Sequence, residues 1–222
     1  VPGTTDVISG VRLDAHRVNV TIQDGFARTE VEEEFFNETD RTLEGRYVFP
    51  IPHGATVTRL GLWVGSLLVE GEIVERRRAA QIFKGIVEDT VRPRDPALLE
   101  WVRGGEVSLK IFPIPPHSSR KVVLAYDEVL EARASVGGQT VRFVHPLSLG
   151  AERATAIEDF RAKVRYVDPK GESRDLRVIA ERDYVPESDL VVEAPIGRAT
   201  ADRAVLSSAE ESAGDGRRFF TA

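Results

Sequence analysis

A strict alternation of apolar and polar positions dominates the first part of the chain. It runs through residues 11–22 and again through residues 26–35, and an Asp24-Gly25 dipeptide separates the two runs. A period of two residues places one face of a strand toward a core and the other toward water, and Asp-Gly suits a two-residue hairpin turn. We therefore predict a β-hairpin whose second strand carries Glu30, Glu32 and Glu34 on its solvent face, with Ala27, Thr29, Val31, Glu33 and Phe35 on the other face.

Further strands follow from the same pattern along the chain. Proline cannot donate to a strand ladder, so the proline pairs around residues 50–52 and 113–116 are expected to end strands. Residues 97–101 fit either a turn or a short strand, and residues 194–216 are expected to be loop. The predicted strands are 44–50, 57–64, 67–71, 107–114, 121–130, 141–144, 156–167 and 176–179.

One segment departs from the strand pattern. Between Ile73 and Val87 the apolar residues recur at intervals of three and four, and glycine and proline are almost absent. This spacing predicts an amphipathic helix. The periodicity as a whole therefore indicates a mainly β protein with one inserted helix.

The composition excludes several kinds of chemical site and binding partner. The absence of cysteine excludes disulfides and thiolate sites, and the net charge of -6 argues against a nucleic-acid partner. The histidines His16, His53, His117 and His145 lie in separate segments, with no HExxH spacing and no clear carboxylate partner in the sequence. No apolar run approaches the roughly 18 residues of a membrane span. We expect no enzyme activity, no cofactor, no metal, no nucleic-acid partner and no membrane span in this segment.

The ends and the residue usage suggest an origin. The chain starts Val1-Pro2-Gly3 and contains no methionine, so we expect a segment of a longer protein. Of its 30 basic residues, 25 are arginine, which favours a GC-rich bacterial source.

An ordered series of motifs covers most of the first 130 residues. A strand ends in Phe-Phe-Asn at Asn37, and Glu44 opens the run Glu-Gly-Arg-Tyr-Val-Phe-Pro-Ile-Pro. In their order and spacing these motifs resemble the VIT domain (vault protein inter-alpha-trypsin), whose signature is F-x-N followed by E-G-x-Y-x-F-P-[LI]-P. The later pieces that fit the same resemblance are residues 54–57, 65–83, 95–101, 112–116 and 122–126.

The resemblance implies a fold and a set of structural residues. It implies an antiparallel β-sandwich with one helix inserted between strands, as a domain over residues 1–132. A β-rich extension over residues 133–222 packs on or completes the sandwich. Motif aromatics are expected in the core, prolines at strand ends, and Asn37, Glu44 and Glu72 as partners of buried backbone groups. The motif residues are Asn37, Glu44, Gly45, Tyr47, Phe49, Pro50, Pro52, Gly71, Glu72, Ala79, Phe83, Leu98, Leu99, Phe112, Pro115 and Tyr126.

The resemblance also implies a function. It implies a non-catalytic interaction, adhesion or scaffolding module whose partner is a von Willebrand factor type A domain in the same polypeptide, in the cell envelope or secreted. Candidate recognition residues are Arg76, Arg77 and Arg78 on the predicted helix, with Asp95 and Trp101. Two alternatives remain open at this point. One is a carbohydrate-binding or carbohydrate-processing sandwich that uses Trp63 or Trp101, and the other is a structural spacer.

Overall fold

The computed structural model describes residues 10–64, 67–70, 73–74, 97–102, 106–135, 138–147 and 156–196. These residues form fourteen β-strands and no helix, and none of their segments could cross a membrane as a helix. The strands are β1 (Val11–Gln23), β2 (Phe26–Asn37), β3 (Leu43–Pro50), β4 (Thr56–Val64), β5 (Leu67–Glu70), β6 (Ile73–Val74), β7 (Ala97–Val102), β8 (Glu106–Ile114), β9 (Ser119–Val129), β10 (Ala132–Ser135), β11 (Gly138–His145), β12 (Ile157–Val167), β13 (Ser173–Tyr184) and β14 (Leu190–Pro195).

The strands form three sheets. The main sheet has seven strands in the order β13-β12-β1-β2-β9-β4-β5. The four-stranded sheet has the order β3-β8-β7-β6, and the three-stranded sheet has the order β10-β11-β14. Side chains from all three sheets belong to one continuous apolar core, so the architecture is a β-sandwich.

The predicted hairpin of β1 and β2 is confirmed. Val18 pairs with Val31 and Gln23 pairs with Phe26, which leaves Asp24 and Gly25 as the two turn residues. Both have positive φ, 48° and 82°, as a type I′ turn requires. That turn is preferred because its twist matches the twist of the flanking strands.

Most strand pairs among the described residues are antiparallel, as expected for the predicted antiparallel β-sandwich, and two pairs are parallel. β12 lies beside β1 in parallel, with Val20 opposite Val164, and β6 also pairs in parallel with β7. Parallel neighbours need a long connection between them, and the chain between β1 and β12 supplies it with the strands β2 to β11. Local alternation reports which face of a strand is buried and carries no information on the direction of its neighbour.

The extension contributes to the same core as the first domain. Phe160 and Val164 of β12, and Phe143 of β11, are fully enclosed with Val18 and Ile22 of β1. Burying an aromatic or aliphatic side chain of this size contributes about 2 to 3 kcal/mol. Residues beyond 132 thus complete the sheet that residues 11–37 begin, while the boundary at 132/133 stays a prediction.

The structure describes only the first two residues of the predicted helix. Its first two residues, Ile73 and Val74, form β6 instead, so the predicted start is wrong. The ladder contacts of Ile73 with Leu99 and of Val74 with Glu100 outweigh the local period there. Residues 75–87 lie outside the described residues.

Asn37 joins the end of β2 to the connection between β8 and β9. Its side chain is fully buried. Its Nδ2 group donates to the carbonyl oxygens of Arg41 (2.7 Å), Ile114 (2.9 Å) and Pro115 (3.1 Å). Its Oδ1 atom accepts from the backbone N–H and the hydroxyl of Thr39, at 2.9 and 2.8 Å. One amide therefore satisfies groups of the loop between β2 and β3 and of the connection from β8 to β9, because buried backbone carbonyls require donors.

Replacing Asn37 tests this role. Asn37→Ala removes one donor from each of three carbonyl oxygens, although the carbonyl of Arg41 keeps the Thr39 hydroxyl at 3.2 Å. The free energy of unfolding should fall by about 2 to 4 kcal/mol. Asn37→Asp should cost more, because it places carboxylate oxygens against those carbonyls. Urea unfolding of both, with Thr39→Ala as a control that removes only one hydroxyl, measures the difference. Equal losses in all three variants would contradict the role.

Candidate functional site

Four polar side chains form a continuous chain inside the sandwich, which we call the buried relay. Glu33 Oε1 lies 2.8 Å from Nδ1 of His16, and Nε2 of His16 lies 3.5 Å from Nε2 of His145. Nδ1 of His145 lies 2.9 Å from the hydroxyl of Tyr126. The four side chains come from β2, β1, β11 and β9, so the relay bridges the main and three-stranded sheets.

Strand register brings these residues together. His16 is directly opposite Glu33 in the β1–β2 ladder, and the period of two puts Glu33 on the same face as Val31 and Phe35, toward the core. The alternation in the sequence places Glu33 on the side of Val31 and Phe35, and the structure shows that this side is the buried one. No carboxylate partner for a histidine was clear from the sequence, and Glu33 is that partner for His16. The parity of Glu33 with its apolar neighbours was the signal available in the sequence.

The relay is sealed from solvent. Its four residues are between 0% and 5% exposed, and the rings of Phe49 and Phe160 lie against its histidines. Burial, with a smaller effect from the neighbouring His16, holds the pKa of His145 well below its ordinary value. Burial likewise raises the pKa of the Tyr126 hydroxyl. The enclosed side chains of the relay can form hydrogen bonds with one another, but they are out of reach of a substrate in solution.

Metal binding finds no support in the described part of the chain. No cluster of three or more histidines, cysteines, aspartates or glutamates that could hold an ion occurs among those residues. The ring centroids of His16 and His145 lie 5.8 Å apart, and their facing Nε2 atoms are at the distance of a long hydrogen bond. Two imidazoles alone fall short of the four ligands of a structural zinc site.

The opposite face of the main sheet carries a row of ion pairs, which we call the charged ladder. Arg17 on β1 bonds Glu32 on β2 at 2.8 Å and Asp159 on β12 at 2.7 Å. Arg161 bonds Asp159 from the other side at 2.9 Å, and Lys121 on β9 lies 3.4 Å from Glu32. The hydrogen bond from Arg161, with those from Arg17, holds the pKa of Asp159 below its ordinary value.

A second ion pair covers the middle of that face. Arg59 on β4 bonds Glu30 on β2 at 2.9 Å. Ala125 on β9 lies directly between them, opposite Glu30 on one side and Arg59 on the other. The pair therefore arches over Ala125, which is completely buried although it lies on the outer face. Arginine can cover apolar surface with its alkyl stem while its charged head remains in water.

Glu128 lies at the margin of the core. It follows Tyr126 on the inner face of β9, and burial raises its pKa to about 7. Its Oε1 atom is buried and has no hydrogen-bond partner. Together these features keep Glu128 partly protonated near neutral pH.

The predicted family-motif residues fall into three groups. Asn37, Gly45, Phe49 and Tyr126 are buried, and a Cβ atom on Gly45 would lie 2.9 Å from Cδ1 of Ile114. Glu44 is exposed, so its carboxylate is not enclosed with buried backbone groups. Residues with intermediate exposure are Pro50, Pro52, Phe112 and Pro115.

For four other predicted residues the structure gives the strand but not the surroundings of the side chain. Tyr47 lies on β3, and Leu98, Leu99 and Trp101 lie on β7, without a description of their side chains. The remaining predicted residues lie outside the described residues. These are Gly71, Glu72, Arg76, Arg77, Arg78, Ala79, Phe83 and Asp95.

A lysine of the same chain lies over the ring of Trp63. The ammonium group of Lys121 lies 5.4 Å from the centre of its ring, and its Nε1 atom is buried without a hydrogen-bond partner. A sugar platform needs an open aromatic face and an accessible polar edge. This geometry takes Trp63 out of consideration as such a platform.

These features define the chain as a mixed β-sandwich with a sealed polar relay in its core. The family model described as "Vault protein inter-alpha-trypsin domain" matches residues 13–126, and the chain belongs to this family. The match covers both strands that hold Glu33 and His16, and it ends at Tyr126. A comparison with curated protein sequences finds no significant match.

One solved structure shares the fold at low sequence identity, and a second aligns more weakly. A putative nutrient binding protein from Legionella pneumophila aligns with a TM-score of 0.50 and 11% identity, over 83% of this chain and 66% of its own. An M1 zinc metallopeptidase from Deinococcus radiodurans aligns with a TM-score of 0.42 and 10% identity, over 82% of this chain and 42% of its own. The chain thus spans less than two thirds of these proteins. The likeness to the first of them is a likeness of fold alone.

The burial of His145 makes a prediction for stability against pH. Because its pKa is lowered on folding, the unfolded chain binds a proton below pH about 6.5 that the folded site does not. Stability from this group is fully present above that pH. It should fall by up to about 1.4 kcal/mol per unit as the pH decreases toward the folded value.

The measurement compares wild type with His145→Gln. Glu128 acts with the opposite sign, because its raised pKa removes stability as the pH rises from about 4.5 through about 7. The contribution of His145 is therefore the difference between the two proteins in urea unfolding from pH 7.5 to 5.0. Parallel curves for both proteins would refute it.

Proposed function

We propose that this chain is a non-catalytic platform that binds a protein partner through the outer face of its main sheet. The first candidate partner is a type A domain in the same polypeptide. Family membership supports the class of module. The charged ladder is the observation that carries the choice of surface.

The position of the reactive groups supports a non-catalytic role. The histidines of the relay and its glutamate are enclosed, and the relay's polar atoms face one another. Catalysis requires a general acid or base within hydrogen-bonding reach of a bound substrate. The other described histidines, His53 and His117, are exposed, and His117 bonds Asp40 on the surface at 2.8 Å.

The charged ladder suits a specific protein contact. Its arginine, lysine and carboxylate groups are already held in fixed positions on rigid strands, so less side-chain entropy is lost when a partner docks. Alternating charges contribute more to selectivity and to the rate of encounter than to affinity. Arginine is also among the residue types enriched in interface hot spots.

Calorimetric titration of this chain with the type A domain of the same polypeptide tests the proposal. Arg17→Glu breaks both ion pairs of Arg17 and places a carboxylate beside Glu32 and Asp159. It should weaken binding at least roughly tenfold, about 1.4 kcal/mol. Arg142→Glu is the matched control, because Arg142 is exposed on the three-stranded sheet.

Two outcomes would overturn the proposal. One is no heat of binding for the wild-type chain at about 100 μM of each protein, since even weak specific contacts reach this range. The other is equal weakening by Arg17→Glu and Arg142→Glu, which would exclude the outer face as the docking surface. Thermal unfolding of both variants checks that each one is folded.

A further inference from the structure

The hydrogen-bond chemistry of the buried relay allows one arrangement when both histidines are neutral and Glu33 is ionised. A carboxylate only accepts, and a neutral imidazole has one donor and one acceptor nitrogen. His16 must then donate from Nδ1 to Glu33 and accept at Nε2 from His145. His145 must accept at Nδ1 from the hydroxyl of Tyr126. Every donor in the relay points toward Glu33.

We propose that the relay takes up one proton as a unit, and that this uptake reverses the direction of its hydrogen bonds between His16 and Tyr126. The proton comes from solvent, so the net charge of the relay changes from -1 to 0. His16 becomes an imidazolium that donates from Nδ1 to Glu33 and from Nε2 to His145. His145 loses its Nε2 proton, carries one on Nδ1 instead and donates it to the oxygen of Tyr126. No other bond is made or broken.

The surroundings place the charge on His16. Among the described residues, the titratable groups that face the two histidines are Glu33 from β2 and, from β9, Tyr126 with Glu128 beyond it. The neighbours from β3 and β12 are phenyl rings, and Leu190 of β14 lies opposite His145. The carboxylate of Glu33 contacts His16 directly, whereas His145 has no carboxylate contact among these residues. A second proton would set two cations against each other in the core.

Thr29 provides the acceptor that the reversed relay needs. It lies directly opposite Tyr126 in the β2–β9 ladder and is fully buried. Its hydroxyl makes no hydrogen bond of good geometry, yet it is near enough to the Tyr126 hydroxyl to offset part of the rise in pKa that burial causes in that group. Once His145 donates to the oxygen of Tyr126, the Tyr126 hydroxyl hydrogen is released and can turn to Oγ1 of Thr29. In both states each ring N–H of the two histidines and the hydroxyl of Tyr126 then has an acceptor.

The reversal gives the junction between two sheets a response to pH. His145 belongs to the three-stranded sheet, and its three partners belong to the main sheet. When an isolated buried histidine gains a proton, a group that donated a hydrogen bond to it can no longer do so. The buried charge then destabilises the packing around it. Here the contact between the sheets persists through one protonation, and the tautomer of His145 reports whether that proton is bound.

Nitrogen-15 NMR of the histidine side chains tests the proposal directly. At pH 8 His145 should carry its proton on Nε2 and His16 on Nδ1. On acidification His16 should become protonated on both nitrogens while His145 changes to the Nδ1 tautomer, with one shared midpoint. The proposal is overturned if His145 keeps its Nε2 proton throughout, becomes an imidazolium first, or titrates separately from His16.

Thr29→Val separates the reversal from a merely structural role. Valine keeps the shape and removes the acceptor that only the protonated relay uses. The spectrum at pH 8 should be unchanged, while the shared midpoint moves to lower pH by roughly half a unit or more, the loss of one neutral hydrogen bond. Thr140→Val on β11 is the matched control and should leave the midpoint in place. An unshifted midpoint in Thr29→Val would refute the reversal.

Discussion

The enclosure of Glu33 is the constraint on which the arrangement of the sheets depends. A carboxylate removed from water is costly unless it is bonded, and its bonded partner is the imidazole opposite it in the hairpin. That imidazole then has a second nitrogen to satisfy, and only a group from another strand can reach it. His145 meets this need and passes the same requirement on to Tyr126. A single buried charge thereby fixes where the three-stranded sheet lies against the main sheet.

At the end of β2 a neutral side chain, the amide of Asn37, also connects two sheets. Asn37 lies four residues after Glu33 on the same inner face and bonds the connection between β8 and β9. Alternate residues of one strand thus specify the position of both smaller sheets, one through a relay of rings and the other through an amide. Buried polar networks of this kind favour one packing, because any shift leaves donors or acceptors unpaired.

The sequence predicts what depends on neighbouring residues and misses what depends on distant ones. The turn at Asp24-Gly25 follows from two residue types, and most strand positions follow from alternation. The parallel place of β12 beside β1 has no local signature, because a strand exposes the same pattern whichever way its neighbour runs. His16 and His145 meet across 129 positions, which no spacing rule covers. Glu33 shares its parity with Val31 and Phe35, and the structure shows that parity, not charge, decided its side.

The arch of Arg59 and Glu30 over Ala125 also bears on how the protein coexists with other copies of itself. Broad sheet faces adhere to one another when their centres are dry and apolar, as the stacked sheets of amyloid do. Here the apolar centre of the widest sheet is closed by a charged bridge that keeps water at the surface. The methyl group of Ala125 is small enough to fit beneath the bridge, whereas a larger side chain would open it and create an adhesive patch. The bridge thus keeps charged groups over the centre of the widest sheet, where a dry apolar face would favour stacking.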